Sequence, residues 1–322
     1  MGYLYRQDQI LVDQSMYELQ KHGTKEFPFQ VYLNDFSRFR GHLEDWHCHL
    51  EMEFTVALKG EFECGMNERR CRIRPGEGVF VNSGVLHMHR ALGRYEDSES
   101  ISIVFLPQFV SGGTDNLIFR KFVEPVMQDT GLRGEPLRRG VRWQEDALDC
   151  LLDIYRLSRK ENWIAEMKIR DRMCEAWELL VENRREEGAR KETAPADMVY
   201  EERAKQILRY IQSHYQEDIS IEDMARQVHI SRTECFRCFQ RITGKSPKNY
   251  LNSYRIRQAM RRLETTQDSV TDICFSCGFN HMSYFVKRFR ESVGMSPGKY
   301  RDMMRGREDL PATGAEKGDQ HA

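Results

Sequence analysis

The sequence predicts a multidomain α+β chain: a β-barrel with flanking helices, followed by an all-α region in which two helix-turn-helix motifs are joined by a long helix. Three observations lead there. Residues 51–105 fall into short strand-like segments broken by turn signals, whereas the chain beyond Pro107 changes to helical spacing. A block of residues near the C-terminus occurs twice, with the second copy 49 to 50 residues after the first. Charge is also unevenly spread: the 322 residues carry 49 Lys+Arg and 50 Asp+Glu, but residues 201–307 hold 20 basic and 12 acidic side chains, leaving 29 and 38 elsewhere. A near-neutral total therefore joins a basic module to an acidic one, the asymmetry expected of a nucleic-acid partner.

With 40% hydrophobic and 31% charged residues the chain has the composition of a globular protein, and wholesale disorder is excluded. No apolar run approaches the roughly 18 residues of a membrane helix, and the N-terminus lacks the basic start and apolar core of a signal peptide. A cytoplasmic protein with no membrane partner is expected. Nine cysteines, an odd number, then read as small buried hydrophobes rather than a disulfide framework.

Taken in order, the segments EFTVAL, EFECG, GVFVN and SISIVF are strands of an all-β unit, separated by Gly65-Met66-Asn67 and Pro75-Gly76. Helical spacing follows in Leu148, Leu151, Leu152, Tyr155 and in Met173, Trp177, Leu180, Val181. These helices, with Trp143, Trp163 and Trp177, read either as core beside the barrel or as a dimer interface. The first domain is set at residues 1–187, a charged linker at 188–198, the second domain at 199–307 and a tail at 308–322.

Within the second domain, Ser220-Ile-Glu-Asp-Met-Ala matches Ser269-Val-Thr-Asp-Ile-Cys, and Phe239, Gly244, Ser246-Pro247, Tyr250 match Phe289, Gly294, Ser296-Pro297, Tyr300. Ser220 with Asp223, Ser231 with Glu234 and Ser269 with Asp272 have the spacing of capping boxes, and Pro247 and Pro297 sit where a first helical turn accepts proline. In each copy a short amphipathic helix precedes a second helix with one apolar stripe: Cys235, Phe239, Ile242, then Phe285, Phe289, Val293. Such a second helix lies in the major groove with its N-terminal residues at the base edges. The residues proposed to face duplex DNA are Ser231, Arg232, Thr233, Phe236 and Arg237, then His281, Met282, Ser283, Val286 and Lys287. For Phe236 an anchor under a neighbouring helix and a thymine-methyl contact stay open. Residues 246–265 read as one helix about 30 Å long, close to one turn of B-DNA.

Residues 219–301, with Gly278-Phe279, Ser283-Tyr284-Phe285, Phe289, Gly294, Ser296-Pro297 and Tyr300-Arg301, resemble the DNA-binding region of AraC/XylS-type transcription regulators. The resemblance implies that the first domain binds an effector and dimerises. A second one lies there: Gly41-x5-His47-x-His49-x3-Glu53-x6-Gly60 has the spacing of the first cupin motif, and Gly76-x5-Asn82-x-Gly84-x2-His87 resembles the second, with Asn82 and Ala91 replacing the usual Pro and Asn. In metal-binding cupins the positions matching His47, His49, Glu53 and His87 hold a divalent ion, and three imidazoles with a carboxylate suit iron, zinc, nickel or manganese. His47 and His49 share one strand face, whereas Leu50, Met52, Phe54, Val56 and Leu58 form an apolar opposite parity, so a merely solvated polar face is a further alternative. A metal-free pocket for a small polar effector, such as a sugar, is favoured, with no cofactor. His89 either joins that pocket or is an exposed strand residue.

Cys235-x2-Cys238 and Cys274-x2-Cys277 have zinc-like spacing, but each pair falls in the helices of a different repeat, so core packing is expected. Arg255, Arg257, Arg261 and Arg262 line the long helix, and Lys245, Lys248, Lys299 and Arg301 flank the ends of the reading helices; some of these are expected to hold phosphates. The function expected is that of a homodimeric, effector-controlled DNA-binding regulator and not an enzyme. The alternative is a metal-dependent cupin enzyme, or a metal sensor, fused to a DNA-binding region.

Overall fold

The computed structural model describes residues 3–7, 10–13, 16–67, 69–93, 97–129, 131–159, 162–186 and 195–308. The expected linker up to residue 194 and the expected tail from 309 lie outside these. The chain divides into two compact units, one of Met1–Tyr210 with Ile221–Pro247 and one of Ile211–Ser220 with the chain from Lys248 onward.

In the first unit ten strands form two sheets. The six-stranded sheet runs in the order β1 (Leu4–Gln7), β2 (Phe29–Asp35), β9 (Glu99–Phe105), β4 (Met52–Lys59), β7 (Gly78–Val81), β10 (Gly134–Leu137). The four-stranded sheet runs β3 (Leu43–His47), β8 (His87–Leu92), β5 (Glu61–Met66), β6 (Arg69–Ile73). Among the described residues no ladder joins the two sheets, so the barrel expected from sequence is an open two-sheet sandwich, closed by side-chain packing rather than by hydrogen bonds. Ala57, Val79 and Val81 of one inner face meet Phe62, Cys64 and Met66 of the other.

The outer face of the larger sheet is covered by helices. After α1 (Gln108–Ser111) and α2 (Glu124–Gln128), α3 (Arg142–Ser158) and α4 (Ala165–Glu186) form a hairpin whose Leu148, Leu151, Ile169 and Trp177 pack on Phe54, Phe80 and Phe105. β4 is therefore buried on both faces: Phe54 and Val56 against helices, Glu53 and Thr55 against the second sheet. The polar parity of this strand is not solvated.

The remaining helices are α5 (Pro195–His214), α6 (Ile221–Gln227), α7 (Arg232–Thr243), α8 (Pro247–Thr265), α9 (Val270–Ser276), α10 (Met282–Val293) and α11 (Pro297–Glu308). In both repeats one helix starts at a serine cap. Ser231 Oγ accepts the Glu234 amide at 3.2 Å and Ser269 Oγ that of Asp272 at 3.0 Å, while left-handed Gly244 and Gly294 close α7 and α10. In the second unit Ile256, Ala259, Met260 and Leu263 of α8 share one core with Ile273, Phe279, Phe285, Phe289 and Tyr300.

Candidate functional site

Two sites take shape. In the sandwich, β3 and the segment after it supply His47 and His49, β4 supplies Glu53, and β8 opens with His87. One ligand atom from each lies within 4.8 Å of the other three, and the four residues are 2%, 4%, 3% and 0% exposed. Their orientation is fixed from behind: His47 Nδ1–H donates to the Asp45 carbonyl at 2.8 Å, His49 Nδ1–H to Glu51 at 3.1 Å and His87 Nδ1–H to Val85 at 2.8 Å. A ring whose Nδ1 proton is committed in this way presents its Nε2 lone pair to the centre. His49 Nε2 and His87 Nε2 both lie 3.2 Å from Glu53 Oε2.

Burial alone would raise the Glu53 carboxyl, yet the bonds to His49 and His87 hold it well below the usual carboxylate range. Burial, with His87 and His49 close by, pushes His47 well below its ordinary value, and burial likewise lowers His87. With its Nδ1–H given to the Val85 carbonyl, His87 can hold its Nε2 3.2 Å from Glu53 Oε2 either by carrying a second proton or by sharing a cation with the carboxylate. An ion with ligands at about 2.1 Å spans at most about 4.2 Å between them, so the four side chains need to close by less than about 1 Å. The donor set fits a divalent first-row ion.

Around this cluster Thr55 Oγ1 donates to Glu53 Oε1 and lies 3.0 Å from Ser102 Oγ, which accepts from Asn34 Nδ2 at 2.9 Å. His89 is fully buried with Nδ1 2.6 Å from Glu44 Oε2, so it faces the interior; the exposed-strand alternative is removed. Asn82, at the position of the usual cupin proline, donates to the carbonyls of Val126 at 2.7 Å and Leu132 at 3.0 Å, a role for a side chain with two donors.

The second site is the pair of reading helices. Ser231, Arg232, Thr233, Phe236 and Arg237 are all exposed, and Phe236 is 40% so. On α10 His281, Ser283 and Lys287 are exposed, with Met282 and Val286 half-buried. Ser283, Val286 and Lys287 line a shallow hollow of about 560 Å³ with Arg290 and Glu291. On α7 the arginines are already paired: Arg232 donates to Glu222 at 2.8 Å, and Arg237 to Glu234 and to the Tyr200 hydroxyl, the latter at 3.2 Å. Tyr200 lies on α5, outside the repeats.

Several basic residues are otherwise engaged. Arg255 is 8% exposed and donates to the carbonyls of Tyr215 and Glu217, both at 2.7 Å. Arg262 pairs with Asp268 at 2.9 Å, and Arg301 donates to the Asp268 carbonyl. Lys248 and Lys299 remain exposed. Cys235, Cys238, Cys274 and Cys277 are each 0% exposed, and burial pushes the thiols of Cys235 up to about 12 and of Cys238 and Cys277 up to about 11. These thiols are packed in the cores of their helices, as small apolar side chains are.

A double helix-turn-helix built on this plan defines a class of DNA-binding regulators. A family model described as a helix-turn-helix domain matches residues 224–303. An uncharacterised HTH-type transcriptional regulator, YdeC of Bacillus subtilis, is 31% identical over 294 residues, covering 91% of this chain and 98% of its own. The transcriptional activator RhaS of Klebsiella pneumoniae is 34% identical over 108 residues, which are 34% of this chain and 38% of RhaS. Among solved structures, the DNA-binding domain of the transcriptional factor AdpA in complex with a target DNA is 32% identical, covering 32% of this chain and 94% of that one at a TM-score of 0.32. The chain belongs to the AraC family of helix-turn-helix transcription regulators. None of its described helices is long and apolar enough to cross a membrane.

Proposed function

We propose that this regulator works in the cytoplasm as a homodimer and binds duplex DNA under the control of a small polar effector held at His47, His49, Glu53 and His87, without catalysing a reaction of its own. The observation that carries this is the convergence of four buried, oriented polar side chains in a domain attached to a DNA-reading module. Orphan polar atoms on buried residues of the same domain, Asn34 Oδ1, Glu44 Oε1 and Ser100 Oγ, add hydrogen-bonding capacity that protein groups leave unused. Exposed Trp163 and Met167, at 92% and 69%, support a dimer contact beside α4. A second reading, that the effector is itself a divalent metal ion, is favoured by the three Nδ1–H donations that leave the Nε2 atoms of His47, His49 and His87 free to act as ligands.

Elemental analysis of protein purified without a polyhistidine tag separates the two. About one equivalent of iron, zinc, nickel or manganese, released as acid protonates the imidazoles, establishes the metal. Metal-free protein whose DNA response to metabolites is lost in His49→Ala establishes the organic effector. A His49→Ala variant with an intact response places the sensing site elsewhere.

A further inference from the structure

The cluster and α5 share one connecting piece of chain, the turn at residues 82–87. On the cluster side, the Gly84 amide donates to the His49 carbonyl at 2.8 Å and the Val85 carbonyl accepts His87 Nδ1–H at 2.8 Å. On the other side the same turn holds the groups that grip α5. The Asn67 amide donates to the Leu86 carbonyl and the Asn82 amide to the Arg133 carbonyl, both at 3.1 Å. Asn67 Nδ2 and Arg133 Nη1 in turn both donate to Glu201 Oε2, at 3.0 and 2.5 Å. Lys205, one helical turn on, lies 3.1 Å from Glu201 Oε1 and donates to the Gly84 carbonyl at 3.3 Å.

Glu201 is only 6% exposed, so its charge is tolerated just as long as these donors stay in place. Farther along, Arg70 stacks over Trp46, the neighbour of His47, and donates to the Ile242 carbonyl in the last turn of α7 at 2.8 Å. α5 and the last turn of α7 are thus both held by residues of the β-sandwich.

We propose that the 82–87 turn and the buried Glu201–Arg133–Asn67–Lys205 grip form a coupling device that transmits occupancy of the four-residue site to α5 and the first helix-turn-helix. A shift of the His49 and His87 backbone on ligand binding moves Gly84, Leu86 and Asn82 together. A buried carboxylate does not follow such a shift gradually; it keeps its donors or loses them. The coupling rests on the reading of the cluster as the effector site, whereas the grip does not.

The test uses the full chain and hydrogen–deuterium exchange of peptides covering residues 82–87 and 199–210, with zinc chloride as the probe and zinc binding followed separately by calorimetry. In wild type, zinc is expected to change exchange in both segments, by about fivefold or more in the second. In Glu201→Gln, and independently in Arg133→Met, the change is expected to stop at 82–87. A response at 199–210 as large in both variants as in wild type overturns the proposal, as does a wild-type response confined to 82–87. Should calorimetry show no zinc binding, the metal reading of the cluster fails, and His49→Gln becomes the perturbation. It is then expected to alter exchange at 199–210 in the wild-type background but not beside Glu201→Gln; equal changes in both backgrounds overturn the coupling.

Discussion

Arg255 shows how a residue's neighbours in space override its neighbours in sequence. Along the chain it belongs to a basic stripe on α8, the pattern of a solvated or phosphate-facing side. In the fold its guanidinium also stacks over Phe279 at 5.8 Å while holding the carbonyls of Tyr215 and Glu217. Nothing in the local sequence marks those acceptors, because they come from a loop some forty residues earlier. Hydrogen bonds to a charged group are worth about 1.5–3 kcal/mol each where the partner is left unpaired. Arg255→Met should therefore lower unfolding free energy by about 2–4 kcal/mol in urea denaturation, while Arg257→Met, on a half-buried neighbour, should cost less. If Arg255→Met melts like wild type and only DNA affinity falls, the residue is a phosphate contact after all.

At the scale of elements, the two helix-turn-helix copies differ most usefully at one turn position. Gly278 has φ +82°, and a Cβ there would lie 2.4 Å from the Tyr215 carbonyl oxygen and 2.9 Å from Arg255 Nε. The equivalent position in the first copy is His229, at φ +53°. A side chain in the left-handed region costs roughly 1–2 kcal/mol, partly offset by the unfolded-state entropy that glycine adds. His229→Gly should therefore stabilise the protein by about 0.5–1 kcal/mol, and Gly278→Ala should destabilise it by more than about 2 kcal/mol, both read from denaturant midpoints. The opposite order would mean that the first turn tolerates its histidine through contacts that compensate the strain. The helices themselves were legible because serine caps, prolines and glycines act locally: Ser231, Ser269, Gly244 and Gly294 each perform the role their spacing announces. The β-domain was legible only as strands and a donor set. Whether strands close into a barrel depends on pairings between distant segments, and β3 turned to β8 while β4 turned to β9 and β7. For the same reason only His47 and His49 could be placed together, on one strand face, whereas the burial of the cluster, its three backbone acceptors and the grip on Glu201 were beyond reach.

For the molecule as a whole, the sharp division of charge sets how it meets DNA. Residues 201–307 carry 20 of the 49 basic side chains against 12 of the 50 acidic ones, and the rest of the chain is correspondingly acidic. Attraction to phosphates is thus confined to one stretch of chain, and each phosphate neutralised there releases condensed counterions. Binding of the full chain to a duplex recovered by selection should weaken steeply with salt, with a log–log slope of about −0.9 per phosphate contact; four to six contacts give about −4 to −5. The arginines of α7 separate this term from base reading. A DNA contact by Arg237 requires it to leave Glu234 and Tyr200, so such a contact competes with an existing pair. Arg237→Ala should relax preference at one or two base pairs by about 1–3 kcal/mol and leave the salt slope nearly unchanged, and Lys287→Ala should do the same at a different position of the site. Competition binding with single-base variants at two salt concentrations measures both quantities. A uniform loss across all variants, with the slope reduced by about 1, would reassign these two residues to the phosphate backbone and leave base recognition to Ser231, Thr233, His281 and Ser283.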